Sequence, residues 1–264
     1  MPDPRRLSSH LSWLLLSLGG IAACSTAFAA SKPDSLQGQW EVIQVDVDRQ
    51  DQPHWLYVPA DPRLLGRQVR IAGSAISMDN DSRDCLKPGF SALPKSSLQQ
   101  FIGQAFPRPP HYGVPLHPAL SDFRLSFPDS SVQPLRVSCN PENSQWNGAW
   151  IIPLSTDRLL TNYDNGGYVL VLRRHQASDP VKPSFACAPT DHAAERTICR
   201  SATLAGYDRS VSAAYRRALK LSDDDTAPLR QAQRDWLMSR DACGVDIDCL
   251  AKSMRDRVNQ LMQQ

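Results

Sequence analysis

Two amphipathic helical segments near the C-terminus of the chain are bracketed by four cysteines: Cys187, Cys199, Cys243 and Cys249. The first segment covers residues 202–221, and the second begins at Asp225 or Thr226. Neither segment has enough apolar surface to be stable alone, so the sequence predicts an antiparallel helical hairpin held by disulfides. Disulfides of this kind form in an oxidising compartment.

The second helical segment places three residues on one face, and we expect them to form a packed polar core: Gln233, Trp236 and Arg240. Trp236 is expected to be its main hydrophobic anchor. Asp208 and Glu195 are expected to form ion pairs inside the hairpin, with Arg234 or Arg240 as partners. These residues are therefore interpreted as scaffold.

The chain contains seven cysteines, and six remain if Cys24 is cleaved off or lipidated. The favoured pairs follow the grouping in the sequence: Cys85–Cys139, Cys187–Cys199 and Cys243–Cys249. A link between Cys199 and Cys243 stays open, because spacing alone does not decide the pairing. No pair has the C-x2-C spacing of a zinc site and no histidine stands at ligand spacing, so no metal is expected.

The first thirty residues have the pattern of a targeting segment. A basic start at Arg5 and Arg6 precedes an apolar run at 11–18, which is too short to span a membrane. Two exits are open. The A-x-A site at 27–29 gives a soluble product, whereas the lipobox-like 21–24 gives a lipidated Cys24. Both predict a periplasmic or cell-envelope protein, attached to the membrane only through such a lipid anchor.

Composition excludes several classes of function. A formal net charge of +2 argues against nucleic-acid binding, which normally needs a strongly basic face. The sequence has no G-x-S-x-G motif, no metal-ligand set and no cysteine left for catalysis once the six are paired. We therefore expect no catalytic residue, no metal and no cofactor, and a protein that is not an enzyme.

The first half of the chain alternates apolar and polar residues in short runs, which is typical of strands. The predicted strands cover residues 38–47, 54–58, 68–72, 75–78, 123–127, 134–139, 149–154, 158–162 and 168–173. A short helix is predicted at 96–106. The sequence thus predicts an α+β protein with four parts: a signal peptide at 1–30, an antiparallel β-barrel domain at 31–175, a linker at 176–183 and a helical domain at 184–264.

Gly38-Gln39-Trp40 at the first strand resembles the G-x-W motif of lipocalins. In that family the Trp closes one end of an eight-stranded barrel and packs under an Arg near the last strand. The resemblance implies that Arg173 or Arg174 takes that part, and that the barrel binds a small apolar ligand. The residues themselves favour Trp40 as a core residue over a ligand contact.

The C-terminal segment, about residues 184–262, resembles the LprI-like lysozyme-inhibitor family. The resemblance rests on the cysteine spacing and on Q-R-x-W-L-x-x-R-D-x-C, which covers Gln233 to Cys243 here. The other matching residues are Cys187, Glu195, Ile198, Cys199, Leu204, Asp208, Tyr215 and Cys249. It implies a secreted or lipid-anchored bacterial envelope protein that inhibits lysozyme without being an enzyme.

Two functional hypotheses follow. An inhibitor of lysozyme or a related wall hydrolase would gain association rate from acidic residues, because animal-type lysozymes are cationic. The available acidic residues lie in loops: Asp223, Asp224, Asp225, Asp246 and Asp248. Residues 181–264 nonetheless carry 13 basic and 11 acidic side chains, which weakens this argument. The alternative is a carrier of a small apolar ligand or lipid that uses the barrel.

Overall fold

The computed structural model describes residues 34–48, 57–79, 85–111, 114–140, 142–164, 166–187, 190–222 and 225–263. The predicted targeting segment with Cys24 lies outside these residues, as do Asp223, Asp224 and most of the predicted strand at 54–58. Within the described part, no helix is both long and apolar enough to cross a membrane.

The described residues form thirteen strands and five α-helices. The strands are β1 (Gly38–Asp46), β2 (Gln68–Ile71), β3 (Ala75–Met78), β4 (Cys85–Leu86), β5 (Gly89–Ala92), β6 (Ser96–Ser97), β7 (Arg108–His111), β8 (Val114–Leu116), β9 (Ser131–Val132), β10 (Leu135–Ser138), β11 (Trp150–Pro153), β12 (Arg158–Tyr163) and β13 (Tyr168–His175). The helices are α1 (Leu98–Ala105), α2 (Ala193–Ile198), α3 (Ala202–Leu221), α4 (Ala227–Asp241) and α5 (Ile247–Met262).

Nine strands form one antiparallel sheet in the order β4-β3-β2-β1-β13-β12-β11-β10-β5, which curls into a half-barrel. A disulfide fastens the two ends of the curl, because Cys85 on β4 is bonded to Cys139, the residue after β10. Beside it, the amide of Asn140 donates to the carbonyl of Leu86 at 3.0 Å. The α+β class predicted from the sequence, an antiparallel sheet followed by disulfide-linked helices, is confirmed.

The sheet is buried on both faces, because its strands alternate between two apolar clusters. Ile151, Leu159 and Leu170 point into the curl, where Trp40 and Trp146 are almost fully buried. The intervening side chains of β11–β13 pack on the outer face against α1. The inner face, where the lipocalin resemblance implied a ligand cavity, is therefore packed with side chains over the described residues.

Trp40 is held at the end of the curl by its neighbours. Its indole N–H donates to the carbonyl of Leu36 at 2.9 Å, and the guanidinium carbon of Arg174 lies 4.1 Å from the ring centroid. Arg174, rather than Arg173, thus makes the Trp–Arg contact that the resemblance implied. Arg173 instead pairs with Glu41 at 2.7 Å.

The predicted strand at 123–127 is wrong. A 3-10 turn at Leu120–Phe123 is followed by Arg124 in the left-handed region, with φ of 54°. Phe123 and Leu125 are both buried against the outer face of the sheet. The apolar alternation here therefore belongs to a packed loop.

The helices of the C-terminal part pack differently from the predicted pairing of the two long segments. α3 packs mainly along α5, whereas α4 makes fewer contacts. The reason lies in their faces: α5 buries the apolar stripe of Leu250, Met254 and Val258, whereas Leu229 and Arg240 are the buried residues of α4. The favoured local disulfides, Cys187–Cys199 and Cys243–Cys249, are both present.

The helices dock on the sheet through α3. The Cα region of Gly206 lies against the carbonyl of Gly66, so close that a Cβ at position 206 would stand 2.3 Å from that oxygen. The hydroxyl of Ser210 donates to the carbonyl of Leu65 at 2.9 Å, and Arg209 pairs with Glu41 at 2.5 Å. The two halves of the described chain are thus in direct contact.

Candidate functional site

The turn between α4 and α5 is a loop closed by the Cys243–Cys249 disulfide, which we call loop 243–249. Gly244 has a φ of +59°, which allows the chain to reverse directly after α4. The Asp246 carboxylate then accepts hydrogen bonds from the amides of Asp248 and Cys249, both at 3.0 Å, and caps α5. The backbone of this loop is therefore fixed at both ends and in its middle.

Loop 243–249 displays two large apolar side chains. Val245 is 73% exposed and Ile247 is 57% exposed, and Met238 in the last turn of α4 is 66% exposed. Val245 and Ile247 contribute little to the core although they stand on a rigid turn, and exposed apolar side chains held in this way indicate a contact surface. A sequence signal for this surface exists: apolar residues between two disulfide-bonded cysteines that are only 6 positions apart are too constrained to reach the core.

The acidic residues named from the sequence fall into two places. Asp246 is engaged by the backbone of α5, whereas Asp248 is exposed and makes no side-chain ion pair among the described residues. Asp225 accepts a hydrogen bond from the amide of Ala227 at 3.0 Å, at the start of α4. The 15-residue α4 separates the two places by about 22 Å, at 1.5 Å per residue. They therefore form two separate spots.

Behind loop 243–249, Arg240 is 3% exposed and joins α4 to α3. Its Nη2 lies 2.6 Å from Asp241 Oδ1, and its Nη1 lies 3.8 Å from Oδ1 of Asp208 on α3. The other oxygen of Asp208 accepts from the amide of Ser184 at 2.5 Å. Arg240 is thus the arginine that pairs with Asp208.

Trp236 and Gln233 bind α4 to α5. The indole N–H of Trp236 donates to Ser253 at 3.2 Å, and Gln233 accepts from Arg257 Nε at 3.0 Å. The guanidinium carbons of Arg240 and Arg257 lie 5.6 and 5.9 Å from the Trp236 ring centroid. Burial lowers the pKa of Arg257. Trp236 is only partly buried. It joins α4 to α5 through its indole hydrogen bond and its contacts with the two guanidinium groups, more than through the apolar packing that we expected.

Glu195 does not form the predicted ion pair among the described contacts. Its carboxylate accepts a hydrogen bond from the hydroxyl of Thr190 at 2.6 Å. The same hydroxyl accepts from the amide of His192, which precedes α2. Glu195 therefore fixes the start of a short helix instead of bridging to α4.

A second charged cluster lies between the sheet and the helices. Nε of Arg67 is 3.6 Å from Oδ2 of Asp79, and the ring of Tyr207 lies under the Arg67 guanidinium at 3.8 Å. Arg255 of α5 donates to the Tyr207 hydroxyl at 3.2 Å. Burial lowers the pKa of Arg67 and raises the pKa values of Asp79 and Tyr207. No motif in the sequence indicates this cluster, because its members come from elements that are far apart along the chain.

The described residues contain no group of three or more His, Cys, Asp or Glu side chains that could hold a metal ion. Loop 243–249 offers aliphatic side chains, a carboxylate and a fixed backbone.

Residues 186–261 match the model of the family described as Lysozyme inhibitor LprI. Among curated proteins, the chain is similar to Lipoprotein LprI of Mycobacterium bovis and to Lipoprotein LprI of Mycobacterium tuberculosis. Each is 32% identical over 81 residues, which is 30% of this chain and 40% of the relative. The C-terminal module is thus LprI-like, and the match spans less than half of these relatives. No solved structure matches the chain.

Proposed function

We propose that this protein is an exported, non-enzymatic envelope protein that inhibits a lysozyme or a related wall hydrolase through loop 243–249. The observation that carries the proposal is the display of Val245 and Ile247 on a disulfide-closed loop within the module that matches the inhibitor family. The proposal extends to the export route, by a cleaved signal peptide or by a lipid on Cys24.

The geometry of the loop suits insertion into an enzyme cleft. A loop whose backbone is already fixed loses little conformational entropy on binding, so more of its contact energy appears as affinity. Val245 and Ile247 supply aliphatic contacts that become buried in the complex. Asp248, which is exposed and unpaired among the described residues, supplies the charge that attracts a cationic enzyme.

We assign the contact with the enzyme to the turn that follows α4, where Asp246 and Asp248 lie. Asp225, before the start of α4, is not part of it. Asp246 acts through the backbone, by capping α5, and Asp248 acts directly on the partner. The basic excess of the whole module does not prevent this, because steering depends on the charges near the contact.

The test is the rate of cell-wall hydrolysis by an animal-type lysozyme in the presence of the full processed chain. We expect inhibition by the natural protein and its loss in the double variant Val245→Ser, Ile247→Ser. The matched control is Leu221→Ser, which removes an apolar side chain that is 55% exposed at the C-terminal end of α3. Inhibition that survives the loop variant, or is lost in the control, would reject the assignment to this loop.

A further inference from the structure

A cleft of about 660 Å³ lies on the outer face of the sheet, between α1 and the ends of β10, β11 and β12. All of its lining residues belong to the part of the chain from Asp48 to Gly166, outside the LprI-like module. A volume of this size is typical of sites for small organic molecules, which occupy roughly 300–1,000 Å³.

Three cleft residues form a row across neighbouring strands. Arg136 of β10 stands opposite Trp150 of β11, and the amide of Trp150 donates to the side-chain carbonyl of Asn162 on β12 at 2.7 Å. Side chains that stand directly opposite each other in an antiparallel pair share one face of the sheet. A cation, an aromatic ring and a side-chain amide therefore lie side by side on the floor of the cleft.

Aromatic rings make one wall rigid. Phe101 and Phe106 pack edge-to-face on Trp150, with ring centroids 5.2 and 6.1 Å apart. Trp150 itself is only 4% exposed, so its position is fixed by the sheet and by α1. Such a wall offers an apolar surface to one side of a ring-shaped ligand.

The charge of the cleft is positive. Lys95 and Arg136 line it, and neither has a carboxylate partner among the described residues. The one acidic side chain in the described lining, Asp48, is held by Arg108 at 2.7 Å. The cleft therefore favours an anion.

The cleft also contains uncharged polar groups that can bind a ligand. The hydroxyl oxygen of Ser96 is buried and has no hydrogen-bond partner among the described residues. Gln100, Gln104 and Asn162 add side-chain amides, which can bind hydroxyl and acetamido groups.

We propose that this cleft binds a carboxylate-bearing sugar, with the carboxylate at Lys95 and Arg136 and one side of the ring against the aromatic wall. An aromatic acid would use the wall and the cations but would leave the amides and Ser96 without partners. A neutral sugar would leave the two cations without a counter-charge. The proposal does not rest on the inhibitor function, since the two surfaces share no residue.

The test is a titration of the full processed chain with N-acetylmuramic acid and with N-acetylglucosamine, followed by NMR at the Trp150 indole N–H. The two sugars share the N-acetylglucosamine ring and differ by the lactyl ether on O3, which carries the carboxylate. Because a hydrogen bond to a charged group is stronger than one between neutral groups, we expect the carboxylated sugar to bind at least about tenfold more tightly.

Arg136→Gln should remove this preference, and Arg158→Gln, on the same sheet but outside the cleft, should leave it unchanged. Lys95→Gln provides a second test should Arg136→Gln fail to fold. Equal binding of the two sugars, or no binding of either up to about 10 mM, would overturn the proposal. Lysozyme inhibition is measured in a separate assay. A protein that did not inhibit lysozyme would therefore still show the preference for the carboxylated sugar.

Discussion

Arg240 shows how a single side chain can hold several elements in place. Its guanidinium is buried, and it contacts carboxylates from α3 and α4 and lies near the ring of Trp236. Arginine suits this position because its planar, multidentate cation can bind two carboxylates at fixed angles. Loop 243–249 begins three residues later, so the position of the loop depends on this contact.

Replacing Arg240 by Met should lower the free energy of unfolding by about 3–5 kcal/mol, because Asp208 would remain buried beside no cation. Chemical denaturation of both proteins measures the change. Arg234→Met is the matched control, since Arg234 is an exposed arginine of the same helix. A loss as small as that of the control would show that Arg240 does not hold the helices together.

Asp79 should give the protein a measurable pH dependence. Burial raises its folded-state pKa above the ordinary value of about 3.9. Its contribution to stability is therefore largest below the unfolded pKa and falls as the pH rises through the folded pKa. We expect the difference in free energy of unfolding, natural protein minus Asp79→Asn, to decrease over that range.

Asp235→Asn is the control for this measurement, because Asp235 is an exposed carboxylate. It controls for effects of an aspartate-to-asparagine change that do not depend on burial. A curve for Asp79→Asn that rises with pH would mean that attraction by Arg67 outweighs burial.

At the level of secondary structure, the regular hairpins were the predictable part. The pairing of β2 with β3 and of β12 with β13 follows from alternating apolar residues around glycine-containing turns. The helix at 96–106 forms α1, with Ser97 as its N-cap. The loop at 123–127 and the choice of α5 as the partner of α3 were not predictable, because both depend on which apolar surface lies opposite.

The three disulfides should differ in their effect on stability according to the loop that each closes. Cys243–Cys249 spans 6 residues and Cys85–Cys139 spans 54. From the loop-closure entropy, we expect replacement of both cysteines of a bridge by serine to lower the free energy of unfolding. The decrease should be about 2 kcal/mol for Cys243–Cys249 and about 4 kcal/mol for Cys85–Cys139. Thermal unfolding of the two double variants measures them.

Removal of the Cys243–Cys249 bridge, which costs less stability, should nevertheless have the larger effect on lysozyme inhibition. Opening loop 243–249 frees Val245 and Ile247 to move, so lysozyme inhibition should weaken although the module stays folded. Opening the Cys85–Cys139 bridge should leave inhibition intact in protein that remains folded. The reverse order would contradict the role given to the loop.

At the scale of the whole molecule, the sheet and the helices meet through a close backbone contact between Gly66 and Gly206. The sign of the stability change in Gly206→Ala tests this contact. Alanine in a helix is intrinsically better than glycine by about 1 kcal/mol, so an unconstrained α3 would be stabilised. The Cβ would instead stand 2.3 Å from the carbonyl of Gly66, so we expect destabilisation, measured by denaturation. A stabilised variant would show that the two parts are not docked as described.

The two parts also differ in how far sequence can specify their function. The helical module carries a family pattern, but its members here, such as Gln233, Trp236 and Arg240, hold the scaffold together. The side chains that we assign to binding, Val245, Ile247 and Asp248, lie outside that pattern. The contact surface therefore follows from exposure and not from the pattern.

An NMR titration of the full processed chain with lysozyme locates the inhibitory surface. We expect the amide signals of residues 244–248 to shift or broaden, while those around Leu221 and Asp225 stay unchanged. Lysozyme binding that perturbs the Leu221 and Asp225 end and spares loop 243–249, or that perturbs neither, would contradict the assignment of that surface to the loop.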